Sequence, residues 1–412
     1  DRRNEVLERM EQQGMISAED LSEAEDSPLE FAPDPPPEDS AYEPFKEAVR
    51  REVENKLGSD ALKQGGLQIY TTLDPNFQKE AVSSIDKTLY RSDDPSGAVA
   101  SVAPQSGAIR ALAGQEDDFN LALDARRQPG SSFKPFVLAT ALKEFVSPDT
   151  TTYVSHNLDL DYQGEKYQVQ NYDGVERGRI SLDQAMSDSD NTVYVQLALD
   201  LGLNNVTGTA KAMGVTTPVD PYPATAIGGL GTGVGVLEIA SAYSTFAAGG
   251  IHRDPYAIER VDSLSFGETN SVYDHKIEGR RVLSGNQAAA TEVLRRIVQS
   301  GTASFYHNLD KEIGHPSAGK TGTTDDFVDA WYVGYTPRLA TAVWVGYPEG
   351  RTPMRNVHGE SVVNGETLPM DIWSTYMAAA TSGDPVLDFP SPDRREFVPL
   401  VRGYAANPAP GL

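Results

Sequence analysis

Residues 127–136 read Arg127-Gln128-Pro129-Gly130-Ser131-Ser132-Phe133-Lys134-Pro135-Phe136 and open an apolar stretch that continues to Phe145. Pro129-Gly130 marks a turn, the pattern after it predicts a helix from Ser131 to about Phe145, and Val146-Ser147-Pro148 ends it. Residues three apart on a helix share a face, so the Lys134 amine can reach the Ser131 hydroxyl. A helix N-terminus also places unpaired N–H groups and positive potential beside that hydroxyl, where a developing oxyanion needs donors. Ser-x-x-Lys is weak evidence alone, because roughly one copy is expected by chance in a chain this long. Ser84-Ile85-Asp86-Lys87 and Ser317-Ala318-Gly319-Lys320 match it as well. The first falls inside a predicted helix and the second leads into a strand, so only the Ser131 copy follows a turn and opens a helix. Read by itself, a serine in that place is more often an N-cap.

Two further stretches carry chemistry. Ser189-Asp190-Asn191 follows the polar run 183–188 and precedes an apolar stretch from Val193 to Leu203. A hydroxyl and a carboxamide two apart suit a loop that relays a proton and holds an amide of one ligand. The same three residue types are ordinary turn formers, and Ser155-His156-Asn157 and Ser284-Gly285-Asn286 share the Ser-x-Asn pattern. Lys320-Thr321-Gly322-Thr323 occurs once, ahead of the apolar runs 330–335 and 340–347, which read as a hairpin joined by Thr336-Pro337-Arg338-Leu339. A cation and two hydroxyls on an edge-accessible strand could hold a carboxylate, with Gly322 allowing close approach of another backbone. A polar strand lip without a ligand is the alternative.

Outward from these motifs, residues 98–103 and 108–113 form a second hairpin pattern around Pro104-Gln105-Ser106-Gly107, and helices are predicted over 287–300 and 368–380. Upstream lie a helix at about 42–57, a strand at 67–72 and a helix at about 75–90, which suggest a small linker domain. Residues 31–44 have the Pro, Asp and Glu content of an extended linker, and residues 4–25 are charged and helix-permissive. The chain after residue 382 is rich in Pro, Asp and Gly and is expected to be irregular.

Composition bounds the function. Sixty acidic residues against thirty-five basic ones give a net charge of −25, which argues against nucleic acid as a partner. With no cysteine, disulfides, thiolate metal sites and a cysteine nucleophile are excluded. The six histidines, at 156, 252, 275, 307, 315 and 358, show no His-Glu-x-x-His spacing, and no Gly-x-Ser-x-Gly elbow is present. The opening at Asp1 without Met suggests a fragment.

Together, Ser-x-x-Lys, Ser-Asp-Asn and Lys-Thr-Gly stand in the order and contexts of β-lactamases and penicillin-binding proteins. Arg127 to Gly130, Ile227-Gly228-Gly229, Glu238 to Tyr243, Asp329 to Tyr335 and Gly66 to Asp74 resemble class A, bifunctional penicillin-binding proteins. Arg2 to Leu7 resembles the end of the glycosyltransferase domain that precedes their linker. The resemblance implies an α/β fold, a mainly antiparallel sheet flanked by helices, with a small N-terminal linker domain. It divides the chain into a glycosyltransferase edge (1–30), a linker region (31–96), a transpeptidase domain (97–382) and a C-terminal tail (383–412).

By that resemblance the activity is a D,D-transpeptidase acting on peptidoglycan stem peptides, as D-alanyl-D-alanine donor and amine acceptor, and blocked by β-lactams. Ser131 would be the nucleophile, Lys134 its base, Ser189 the proton relay and Asn191 the ligand of the donor amide. The N–H groups of Ser131 and Thr323 would form the oxyanion hole. Lys320, Thr321 and Thr323 would grip the terminal carboxylate, Gly322 would leave room for the peptide, and Asp190 joins the substrate-binding set. No cofactor or metal is expected. The resemblance also implies a membrane-anchored full-length protein, catalytic parts outside the cytoplasm, with other wall-synthesis proteins as further partners. A class A β-lactamase would need a deacylating glutamate in a Glu-x-x-Leu-Asn context between the second and third motifs, and residues 191–320 hold none. A carboxypeptidase and an inactive β-lactam-sensing scaffold remain alternatives at this stage.

Overall fold

The computed structural model describes residues 2–28, 40–116, 119–265, 268–286, 289–304 and 307–406. The acidic, proline-rich run at 31–39 and the chain end at 407–412 lie outside the described residues. Two compact units result, residues 1–40 and 41–412. In the first, helices Arg2–Gln12 and Ala18–Asp26 are separated by a turn at Gly14, and Ser17 with Asp20 forms a capping box on the second.

The second unit is built on a five-stranded antiparallel sheet, in the order Ala318–Thr323, Asp329–Tyr335, Ala340–Gly346, Ser96–Val102, Ile109–Ala113. Both expected hairpins are present, and strand Ala340–Gly346 pairs with Ser96–Val102 to join them across more than half the chain. Every residue of the two central strands Asp329–Tyr335 and Ala340–Gly346 is buried. Near-continuous apolar strands of that kind require cover on both faces. Tyr332 and Tyr335 point to opposite faces. Tyr332 meets Trp373 of helix Leu368–Ala380, whereas Tyr335 meets Tyr243 and Phe246 of helix Val236–Ala247. Helix Ala290–Ser300 joins the second face through Thr291, whose hydroxyl lies 2.9 Å from that of Tyr335.

The motif helix differs from its expected bounds. Gly130–Phe133 forms a 3₁₀ turn, and the α-helix proper runs Lys134–Lys143. Residues 134–142 are all buried, so this stretch has no solvent-facing side and threads the interior, with Lys134 and Thr140 its polar members. Strand Leu67–Thr71 pairs with Ile258–Ser265, which in turn pairs with Glu268–Asp274, so the early chain shares a small sheet with a segment from beyond its middle. Beyond residue 382 the described chain is irregular apart from short turns at Arg394–Glu396 and Gly403–Ala406. It is nevertheless tied down: Val398 exchanges backbone hydrogen bonds with Phe145 and Ser147, at 2.8 Å each.

Candidate active site

The 3₁₀ turn changes how the first motif works. Residues i and i+3 eclipse in such a turn, more closely than on an α-helix. Lys134 Nζ accordingly lies 3.0 Å from Ser131 Oγ. The Ser131 side chain is therefore not spent on capping: neither the turn nor the helix after it has a side-chain cap.

The second motif meets the first. Helix Leu182–Ser187 ends at Asp188, and Ser189 takes a left-handed conformation, φ 55°, that turns its carbonyl and hydroxyl inward. Such conformations are costly for non-glycine residues and collect at functional sites. Lys134 Nζ contacts the Ser189 carbonyl, Ser189 Oγ at 3.1 Å and Asn191 Oδ1 at 2.8 Å. Asn191 Nδ2 donates to the Gln170 carbonyl at 3.0 Å.

The third motif closes the group. Lys320 Nζ reaches Ser189 Oγ at 3.0 Å, so that hydroxyl stands between two lysine amines. Strand Ala318–Thr323 is the sheet edge, and Thr324 donates to Asp329 O at 3.1 Å. In an antiparallel ladder the inward and outward residues alternate, so the N–H groups of Thr321 and Thr323 face the open edge, where Gly130 packs against the Thr323 backbone. Thr321 Oγ lies 3.3 Å from Thr302 Oγ, and Thr323 Oγ accepts from Gly365 N at 3.1 Å. Ser131, Ser189, Asn191, Thr321 and Thr323 line one cleft of about 800 Å³.

Burial and charge set the protonation of this group. Lys134 is completely enclosed, and burial first, then the neighbouring Lys320, hold its amine well below the usual lysine range. Burial likewise pulls Lys320 down to about 7, with Glu366 partly offsetting it. At its ordinary pKa of about 10.4, only about one Lys134 in 2,500 would be neutral at pH 7. A neutral amine can make these contacts, accepting from the Ser131 hydroxyl through its lone pair and donating its two hydrogens to Asn191 Oδ1 and the Ser189 carbonyl.

One sequence expectation is revised. Asp190 does not face the cleft. It is buried, its Oδ1 accepts from Val193 N at 2.9 Å as helix cap and from Thr192 Oγ at 2.8 Å, and its Oδ2 accepts from Ser155 Oγ at 2.6 Å and Asn171 Nδ2 at 2.7 Å. It braces the loop that carries Ser189 and Asn191. Gly322 is also required by the protein's own turn, since a Cβ there would lie 2.4 Å from the Pro129 carbonyl.

The loop 170–177 supplies Gln170, Asn171, Tyr172 and Arg177 to the cleft wall, Thr302 and Glu366 line it from elsewhere in the chain, and none of these stands in the three motifs. Asn171-Tyr172-Asp173-Gly174 reads as an ordinary turn, and nothing local marks it as functional.

Known proteins match this architecture. Residues 97–358 match the model of the penicillin binding protein transpeptidase domain. Penicillin-binding protein 1A of Mycolicibacterium smegmatis is 34% identical, over 99% of this chain and 53% of that protein, and penicillin-binding protein 2D of Bacillus subtilis is 29% identical over 99% and 59%. The chain thus spans little more than half the length of these curated relatives. Among solved structures, PonA1 of Mycobacterium tuberculosis superposes with a TM-score of 0.75 at 29% identity, over 85% of this chain and 94% of that one. A second structure of PonA1, in complex with penicillin V, gives the same TM-score over 87% and 98%. With the family model matching well over half of its residues, the chain belongs to the penicillin-binding protein transpeptidase family.

Proposed function

We propose that this chain is a serine D,D-transpeptidase that cross-links peptidoglycan stem peptides and is acylated by β-lactams. The observation that carries this reading is the convergence of Ser131 Oγ, Lys134 Nζ, Ser189 Oγ and Lys320 Nζ, linked by contacts of 3.0–3.1 Å, at one cleft.

Ser131 Oγ attacks the penultimate carbonyl of a D-alanyl-D-alanine terminus while its proton passes to neutral Lys134. The oxyanion takes the N–H groups of Ser131 and Thr323. Lys320, with Thr321 and Thr323, holds the terminal carboxylate, and that negative charge favours the protonated form of Lys320. The C–N bond breaks as Ser189 passes the proton from Lys134 to the departing D-alanine nitrogen, leaving an ester on Ser131. An acceptor amine then attacks the ester, its proton returns through the same groups, and a new amide and free Ser131 result. The donor lies along the open edge of strand Ala318–Thr323 as an added strand, its amide held by Asn191 after release from the Gln170 carbonyl.

Residues 97–382 are read as the transpeptidase domain, supported by the family match over 97–358. No helix among the described residues is long and apolar enough to cross a membrane. Extracytoplasmic placement by an anchor elsewhere in the full-length protein, with other wall-synthesis proteins as partners, is part of the same proposal.

The test supplies a peptide ending in D-alanyl-D-alanine and an amine acceptor. Release of D-alanine matched by a new amide that grows with acceptor concentration is the expected result. Release of D-alanine with the shortened peptide appearing only as its free acid, unaffected by acceptor, would make the chain a carboxypeptidase. Penicillin should leave an adduct that persists, because residues 191–320 lack the deacylating glutamate context of class A β-lactamases; rapid penicillin turnover would contradict this.

A further inference from the structure

Arg177 stands outside all three motifs, on the connection between strands Glu165–Val169 and Gly178–Ser181. Its guanidinium faces three carboxylates. Nη2 pairs with Asp173, Nε lies 3.2 Å from Asp188 Oδ2, and Nη1 lies 3.6 Å from Asp190 Oδ2. Of the three, Asp190 has a side chain with no exposed surface, whereas Asp173 is 43% exposed and Asp188 28%. The tie is doubled through the backbone, since Arg177 N donates to the Ser155 hydroxyl at 3.2 Å and that hydroxyl donates to Asp190. Asp190 sits between Ser189 and Asn191, the two residues whose oxygens hold Lys134 Nζ.

A buried carboxylate so close to Lys134 favours a proton on that amine, which is the wrong state for a base. An arginine is charged at all working pH values and cancels that field without competing for protons. Resting on the reading of Lys134 as base, we propose that Arg177 is a positioning residue for acyl transfer: it neutralises Asp190 beneath the Ser189 loop and so keeps Lys134 available in its uncharged form.

The charged groups around Lys134 are few. Lys320 faces it from the edge strand, with Glu366 beside Lys320; Asp190 faces it from the cap of helix Asn191–Leu201; Arg177 lies behind Asp190 with Asp173 and Asp188. Burial is the largest influence lowering the Lys134 pKa, Lys320 and Arg177 lower it further, and Asp190 raises it. Removing the Arg177 charge therefore raises that pKa, so the base is lost at a higher pH than in the wild type. Removing a carboxylate that partners Arg177 has the opposite sign.

The experiment is the pH profile of the penicillin acylation rate constant for the wild type, Arg177→Met, Arg177→Lys and Asp188→Asn, with thermal melts of each. The wild-type rate rises with pH and levels off. Arg177→Met is expected to move the midpoint up by about one pH unit, a loss of about tenfold on the rising limb, and to recover toward the plateau. Arg177→Lys keeps the wild-type midpoint, and Asp188→Asn moves it down. Equal slowing of Arg177→Met at every pH, with the midpoint unmoved, would make Arg177 a brace and overturn the inference. Should Arg177→Met fail to melt cooperatively, Asp188→Asn decides: a lower midpoint supports the inference and an unmoved one overturns it. A wild-type rate that simply follows hydroxide to pH 10 would instead remove the role of Lys134, and Arg177's with it.

Discussion

Replacing Lys134 with methionine should lower the rate of Ser131 acylation by about 10²–10⁴-fold, the usual contribution of a positioned general base. Methionine keeps most of the volume and flexibility of the lysine stem in a site with no exposed surface, so packing along helix Lys134–Lys143 is largely retained. What it loses is the amine nitrogen 3.0 Å from Ser131 Oγ. Lys134→Arg separates base from charge, because a guanidinium restores the positive charge and hydrogen-bond donors but cannot accept a proton. Both variants should therefore be slow. Time courses of labelling by a fluorescent penicillin provide the measurement, and an arginine variant within threefold of the wild type would show that Lys134 acts only as a cation.

The second large effect is expected at Gly228, far in sequence from Ser131, Ser189 and Lys320. Its φ is +83°, and a Cβ there would lie 2.1 Å from the carbonyl oxygen of Gly130. Gly228→Ala must strain the left-handed backbone, at about 1–3 kcal/mol, and displace the turn that presents Ser131, at about another 1–3 kcal/mol for overpacking. Against a total stability of about 5–15 kcal/mol, this should lower the melting temperature clearly. In the folded fraction a shifted Gly130 moves the Ser131 N–H from the oxyanion position. The loss of one such donor costs about 10²–10³-fold. Thermal melts paired with labelling rates check both parts, and a variant that melts and labels like the wild type would show that this turn is not tightly clasped.

Much of this arrangement was legible from residue order. The apolar runs at 98–113 and 330–347 read as hairpins because each strand is short, apolar and bounded by turn residues, and the motif contexts at Ser131, Ser189 and Lys320 separated them from look-alike copies. The pairing of Ala340–Gly346 with Ser96–Val102 was not legible, since no local signal links segments more than two hundred residues apart. The same applies to strand Leu67–Thr71, whose partner lies at Ile258–Ser265. Asp190 was misplaced because a carboxylate in a motif loop looks like a ligand group, yet its geometry is that of a helix cap with four protein donors. Gly322 is held to glycine by Pro129 from the same chain, a constraint no local signal shows. Arg177 and Gly228 owe their importance to contacts made only in three dimensions, with Asp190 and Gly130 respectively.

In this mechanism Ser131 Oγ is the atom acylated. Intact mass after penicillin treatment, followed by proteolysis and mapping, tests it most directly. One penicillin per chain, on the peptide that contains Ser131 and absent from Ser131→Ala, is the predicted result. An adduct on another peptide, or labelling that survives Ser131→Ala, would contradict the account.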